Sequence, residues 1–141
     1  MSSVLIDTGP HVALIDWSDP HHWDCGEALA GIADPLGTVW PVLTEAMYLL
    51  RSSAQVQRAL WGMLGVAEVQ LIELGSDNCP RVRELMCDLP MDLADAALTG
   101  WQSASASGGC AQWIGVISKF TSLIGSAAAK FCLDLLSKAI I

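Results

Sequence analysis

Short apolar runs alternate with helical stripes over roughly the first hundred residues of this 141-residue chain. Val4-Leu-Ile6 is a β-branched and apolar run that stops at Asp7-Thr-Gly-Pro10, which suits a buried strand ending in a turn. His11 to Trp17 reads as a short helix, and Asp19-Pro20 offers an N-cap and a first-turn proline for a second. Cys25, Ala28, Leu29 and Ile32 form the stripe of that second helix, and Asp34-Pro35-Leu-Gly37 ends it. Thr38-Val-Trp40 reads as another strand, after which Pro41 opens a helix with Leu43, Ala46, Met47 and Leu50 on one face. Val56, Ala59, Leu60 and Met63 repeat that spacing in a helix ending near Gly65. Glu68 to Leu74 reads as a third strand. Ser76 or Asp77 then caps a helix carrying Val82, Leu85 and Met86, which Leu89-Pro90 breaks before a further helix from Met91. Strands separated by helices require crossover connections, so the expected class is α/β with a parallel sheet.

After Thr99 the pattern changes: residues 100–112 have the Ser, Gly and Ala content of a linker, and a helical stripe returns only from Trp113 through Ile117, Phe120, Ile124, Ala128, Phe131 and Leu135. The charge changes at the same place. Residues 1–98 carry four Arg, no Lys and fourteen carboxylates, whereas residues 99–141 carry three Lys and only Asp134. The sequence therefore divides into a 1–98 domain and an atypical 99–141 tail. The formal charge of −8 excludes binding of nucleic acid through a broad basic surface, and any phosphate chemistry must be local.

Cys25, Cys79, Cys87, Cys110 and Cys132 are odd in number and contain no C-x-x-C pair, a spacing that suits neither a disulfide framework nor a zinc site. Free thiols in a reducing cytosol are expected. Met1-Ser-Ser-Val lacks the basic start of a signal peptide, and the uncharged stretch 96–118 is too rich in Gln, Ser and Gly to read as a membrane span. The expected location is cytoplasmic.

Ligands of an open parallel sheet bind at the carboxyl ends of its strands, and Asp7 and Glu45 fall at or near such ends, with a further acidic pair later in the chain. Asp7 follows the first strand directly, where it either caps the next helix or holds a ligand. Glu45 lies one turn into the helix after the second strand, either as a favourable charge near a helix start or as part of a site. Asp92 and Asp95 share one side of a helix's first turn; Asp92 suits an N-cap, and Asp95 has no comparable structural role. Carboxylates gathered from separate elements are tolerable at neutral pH only if some are protonated or a cation sits between them. All-oxygen donors suit Mg²⁺ or Mn²⁺ rather than zinc.

Val4-Leu-Ile-Asp7-Thr-Gly-Pro10, Val42-Leu-Thr-Glu45-Ala and Leu89-Pro-Met-Asp92-Leu-Ala-Asp95-Ala-Ala97, in this order and at these intervals, resemble the PIN-domain family and, within it, the VapC-like toxins of bacterial toxin–antitoxin pairs. The resemblance covers about residues 3–98. It implies a three-layer α/β fold with a central parallel sheet, and a Mg²⁺- or Mn²⁺-dependent endoribonuclease whose Asp7, Glu45 and Asp95 hold the metal and carry catalysis. It further implies that Thr8 supports the site, that Asp92 lies beside it, that a cognate antitoxin covers the acidic groove, and that the chain forms a homodimer. The family's late Thr-x-Asp-Arg-Arg-Asp-Phe segment has no counterpart here, and its fourth acid is not carried onto Asp134. Loss of that motif at the charge break is the pattern expected of a tail from another reading frame.

Other conspicuous residues have plainer readings. His21 and His22 sit at the exposed start of a helix, where adjacent side chains do not converge on one ion. His11 reads as a helix-surface residue or, near the strand end, as a general base. The six Trp are scattered rather than interleaved with basic residues, and Arg81 and Arg83 solvate their helix or touch a phosphate. The expected function is RNA hydrolysis by metal-activated water. The alternatives are a catalytically inactive PIN-like binding module or a hydrolase of small phosphate esters.

Overall fold

The computed structural model of the chain describes residues 4–65 and 69–105. The elements run β1 (Val4–Leu5), α1 (Thr8–Ile15), α2 (His22–Ala30), β2 (Leu36–Val39), α3 (Trp40–Leu49), α4 (Ala54–Gly65), β3 (Val69–Ile72), a 3-10 turn (Ser76–Asn78), α5 (Cys79–Asp88) and α6 (Leu93–Ser105). The three strands form one parallel sheet in the order β1-β2-β3. Val4 is opposite Leu36, and Leu36 to Val39 run opposite Val69 to Ile72. This is the α/β class expected from strands separated by helices.

Alternation along the strands sends side chains to two faces. Leu5, Val39 and Ile72 pack with Ala94, Ala97 and Leu98 of α6. On the other face Val4 and Leu36 pack with Ala13 of α1 and Cys25 of α2, while Leu71 joins Leu43, Ala46 and Leu60 of α3 and α4. Helices thus cover both sides of the sheet. Gly37 is where β2 needs the smallest residue, because a Cβ there would lie 2.7 Å from Ile72 Cδ1 on the neighbouring strand.

Several boundaries differ from the expected ones. α1 starts at Thr8, so Asp7-Thr-Gly-Pro10 leads straight from strand into helix rather than forming a separate turn. Pro10 is compatible because first-turn amides have no intrahelical partner. α2 starts at His22; the preceding Asp19 accepts the backbone N–H of His21 at 2.8 Å, a local turn that takes the place of a helix cap. Leu36 and Gly37, expected to end that helix, belong to β2, and Trp40 is already in α3. Ser76 and Asp77 form the 3-10 turn, and α5 has no side-chain cap.

The largest departure is at residue 100. α6 crosses residue 98 and continues to Ser105, so the linker reading of 100–112 fails over its first six positions. Thr99 and Gly100 are buried, and a Cβ on Gly100 would come within 3.1 Å of Val82 Cγ2. Small residues here permit close approach of α6 to α5, and composition alone made them look flexible. The stripe from Trp113 to Leu135 lies outside the described residues. Among the described residues no helix is long and apolar enough to cross a membrane.

Candidate active site

The fold brings the three acidic groups to one end of the sheet. Asp7 follows β1 with extended backbone (φ −87°, ψ 176°), and its side chain makes no capping hydrogen bond to α1. Its carboxyl is pushed above the ordinary range, first by burial and then by the nearby Glu45 and Asp92, with partial compensation from the backbone N–H of Thr8. Thr8, buried as the first residue of α1, donates its hydroxyl to Glu45 Oε2 at 2.8 Å. The same hydroxyl lies 3.5 Å from the carbonyl of Val42. One side chain thus ties the start of α1 to α3 and holds Glu45 on the side of Asp7.

Asp92 caps α6: its Oδ1 accepts the backbone N–H of Asp95 at 2.9 Å. The capping reading of Asp92 is therefore realised, and the bond orients the first turn that carries Asp95. Asp95 is partly buried, and its carboxyl is pushed up to about 7, first by burial, then by Asp7, Asp92 and Glu45. Asp7, Glu45, Asp92 and Asp95, from the end of β1 and from α3 and α6, therefore occupy one electrostatic neighbourhood. A carboxyl that titrates near neutrality is a group whose proton an incoming cation could displace.

The donor set contains only carboxylates and a Thr hydroxyl, chemistry that fits a hard divalent ion such as Mg²⁺ or Mn²⁺. The side chains are not gathered into a finished shell. Among the described residues no group of three or more His, Cys, Asp or Glu is disposed to hold a metal ion. Asp7 and Asp95 are thus close enough to Glu45 for its charge to favour their protonated forms, without the three converging on one point. Mutual repulsion favours that spread.

The histidines are not where sequence placed them. His11 is completely buried, not a helix-surface residue, and neither ring nitrogen has a hydrogen-bond partner. Burial pushes its imidazole down to about 4, so it is neutral at physiological pH. One turn beyond Asp7, a position of this kind is invisible to periodicity because α1 is buried on most of its surface. His22 is half-buried rather than exposed; its Nδ1 lies 2.8 Å from the carbonyl of Ala13 and its ring stacks on Trp17 at 5.3 Å. Arg81 forms an ion pair with Glu84 at 2.7 Å on its own helix.

A feature the sequence reading missed adjoins the acids. Trp40, Thr44 and Tyr48 follow one another at i, i+4 and i+8 along α3, and with Glu45, Asp92 and Leu93 they line a groove of about 550 Å³ between α3 and the start of α6. Trp40 packs edge-on against Trp61 of α4 at 6.4 Å, and the Arg51 guanidinium lies 4.1 Å over the Tyr48 ring. The detectable signal was the aromatic stripe on α3 next to Glu45. The partner Trp61 is 21 positions away, so the Trp residues looked scattered.

No family model and no curated protein matches this chain.

Proposed function

We propose that the chain is a PIN-type, Mg²⁺- or Mn²⁺-dependent endoribonuclease, the toxin component of a toxin–antitoxin pair. The observation that carries this reading is the electrostatic coupling of Asp7, Glu45, Asp92 and Asp95, contributed by three separate elements. In this reading Asp7, Glu45 and Asp95 hold the cation, Thr8 positions Glu45, and Asp92 orients the first turn of α6 beneath Asp95. An ion held by these carboxylates would supply activation of water and offset charge on the phosphodiester. With its carboxyl pushed up to about 7, Asp95 is partly protonated at neutral pH, which limits repulsion of an RNA phosphate. The same reading places the protein in the cytoplasm, as a homodimer whose acidic groove a cognate antitoxin covers.

A second reading, a PIN-like binding module without hydrolytic activity, draws on the absence of a converged metal shell among the described residues. Metal titration followed by RNA cleavage separates the two. Cleavage of a labelled RNA that requires Mg²⁺ or Mn²⁺, stops on chelation and falls at least a hundredfold in Asp7→Asn supports the nuclease, on the scale of about 10²–10³ for loss of one electrostatic catalytic group. Partner binding without any cleavage, unaffected by chelation, supports the module. Hydrolysis of a small phosphate ester with no action on RNA refutes both.

A further inference from the structure

We infer that the groove lined by Trp40, Thr44, Tyr48 and Leu93 is the subsite for an unpaired nucleobase next to the scissile phosphate; this rests on the ribonuclease reading and deepens it. Three observations meet at this place. The groove is continuous with the acids, since Glu45 and Asp92 form part of its wall. A base seated in it therefore has its own phosphate within reach of the carboxylate cluster. The walls are apolar and aromatic yet open to solvent, with Trp40 50%, Tyr48 62% and Leu93 52% exposed. Exposed apolar surface of this kind marks a binding site, and a volume of about 550 Å³ falls within the range of small-molecule sites.

The charge balance decides what occupies it. Residues 1–98 contain four Arg and no Lys against fourteen carboxylates. RNA binding by phosphate neutralisation, the usual source of affinity, is unavailable to such a domain. Affinity must come from contacts that an acidic surface does not oppose, and a nucleobase is neutral with a broad π-face. Trp40 is held against Trp61, and Tyr48 is held by Arg51, which covers its ring and donates Nη1–H to the Tyr48 carbonyl at 2.9 Å. Both aromatics are therefore braced from outside the groove, which lowers the ordering penalty of stacking. A duplex cannot offer a free base face, so the substrate is single-stranded at the cleaved position.

The test uses the full chain with a fluorescein-labelled eight-nucleotide RNA, once as a single strand and once as a duplex. Anisotropy without divalent ions reads binding, and cleavage with Mn²⁺ reads KM and kcat. Trp40→Ala is expected to weaken binding and raise KM by about tenfold to a hundredfold, the loss of one stacked base, with kcat changed much less; Trp40→Phe is expected to restore most of it. Binding of the single strand is expected to exceed that of the duplex and to fall with salt with a log–log slope shallower than about 2, since few phosphates are neutralised. Failure of the nuclease reading alone appears as no cleavage with Trp40-dependent RNA binding retained, which still supports the base subsite. Failure of the subsite alone appears as cleavage by the wild type with Trp40→Ala and Tyr48→Ala both within twofold of its KM and binding. Duplex bound as tightly as single strand overturns it too. So does wild-type binding of an arginine-rich peptide with no binding of RNA, which makes the groove a protein docking surface.

Discussion

Replacing Asp95 by Asn should make the protein more stable at pH 8 while removing a group that the proposed site requires. The Asp95 carboxyl is raised from 3.8 to about 7. A group whose folded pKa lies above its unfolded value binds its proton more tightly in the fold, so the wild type loses stability as pH rises from about 4 through 7 and levels off above that. The full shift corresponds to about 4 kcal/mol between the two protonation states. Asp95 is only partly buried, and solvent screening reduces its share to about 2 kcal/mol. Against this stands its favourable position in the first turn of α6, worth roughly 0.5 kcal/mol for a charge at a helix N-terminus. The balance for the isosteric Asn is a gain of about 1.5 kcal/mol at pH 8, declining to zero or slightly below at pH 4. Urea unfolding of both proteins at half-unit pH steps, without divalent ions, gives the difference curve. Addition of Mn²⁺ at pH 8 should stabilise the wild type and not the variant. A variant less stable than the wild type at pH 8, or a difference independent of pH, would refute the reasoning that burial and like charge dominate at this position.

Two other perturbations probe the fold. His11→Leu should remove an opposite pH dependence: the imidazole is lowered from 6.5 to about 4, so the wild type loses stability as pH falls from 6.5 towards 4. The variant should therefore gain about 2 kcal/mol relative to its own difference at pH 8 when both are compared at pH 5, read by urea unfolding. Gly37→Ala places a Cβ 2.7 Å from Ile72 Cδ1, the free end of a side chain that can turn aside, and should destabilise by about 1 kcal/mol or less. Ile72→Val removes the opposing Cδ1, so a double-mutant cycle should show the two changes compensating by at least about 0.5 kcal/mol; purely additive effects would mean that the crowding lies elsewhere.

Much of the element order was legible because apolar spacing and strand-breaking residues agree along the chain. Val4-Leu-Ile6 ending at Asp7, and Leu43, Ala46 and Leu50 on one helix face, needed no tertiary information to be read. Boundaries were less legible where a residue suits two roles. Gly37 looked like a helix stop and is instead a strand residue under Ile72; Gly100 looked like linker and is a helix contact against Val82. In both cases smallness serves close packing, and a sequence shows smallness without showing the neighbour. His11 was misplaced for a related reason. Burial of α1 on most of its surface removes the polar face from which a surface position would be inferred.

Residue types and their order along the chain determined the α/β class, the acidic balance and the candidates Asp7, Glu45, Asp92 and Asp95, because strand ends and helix starts are local features. Only the tertiary structure decided that burial, and then the neighbouring acids, hold Asp95 near 7, and that Thr8 reaches Glu45 across the gap between α1 and α3. It alone joined Trp40 to Trp61, and the α3 stripe to the start of α6, to make a groove beside the acids. Coulombic and packing energies depend on distance through space, and distance along the chain carries little of that information.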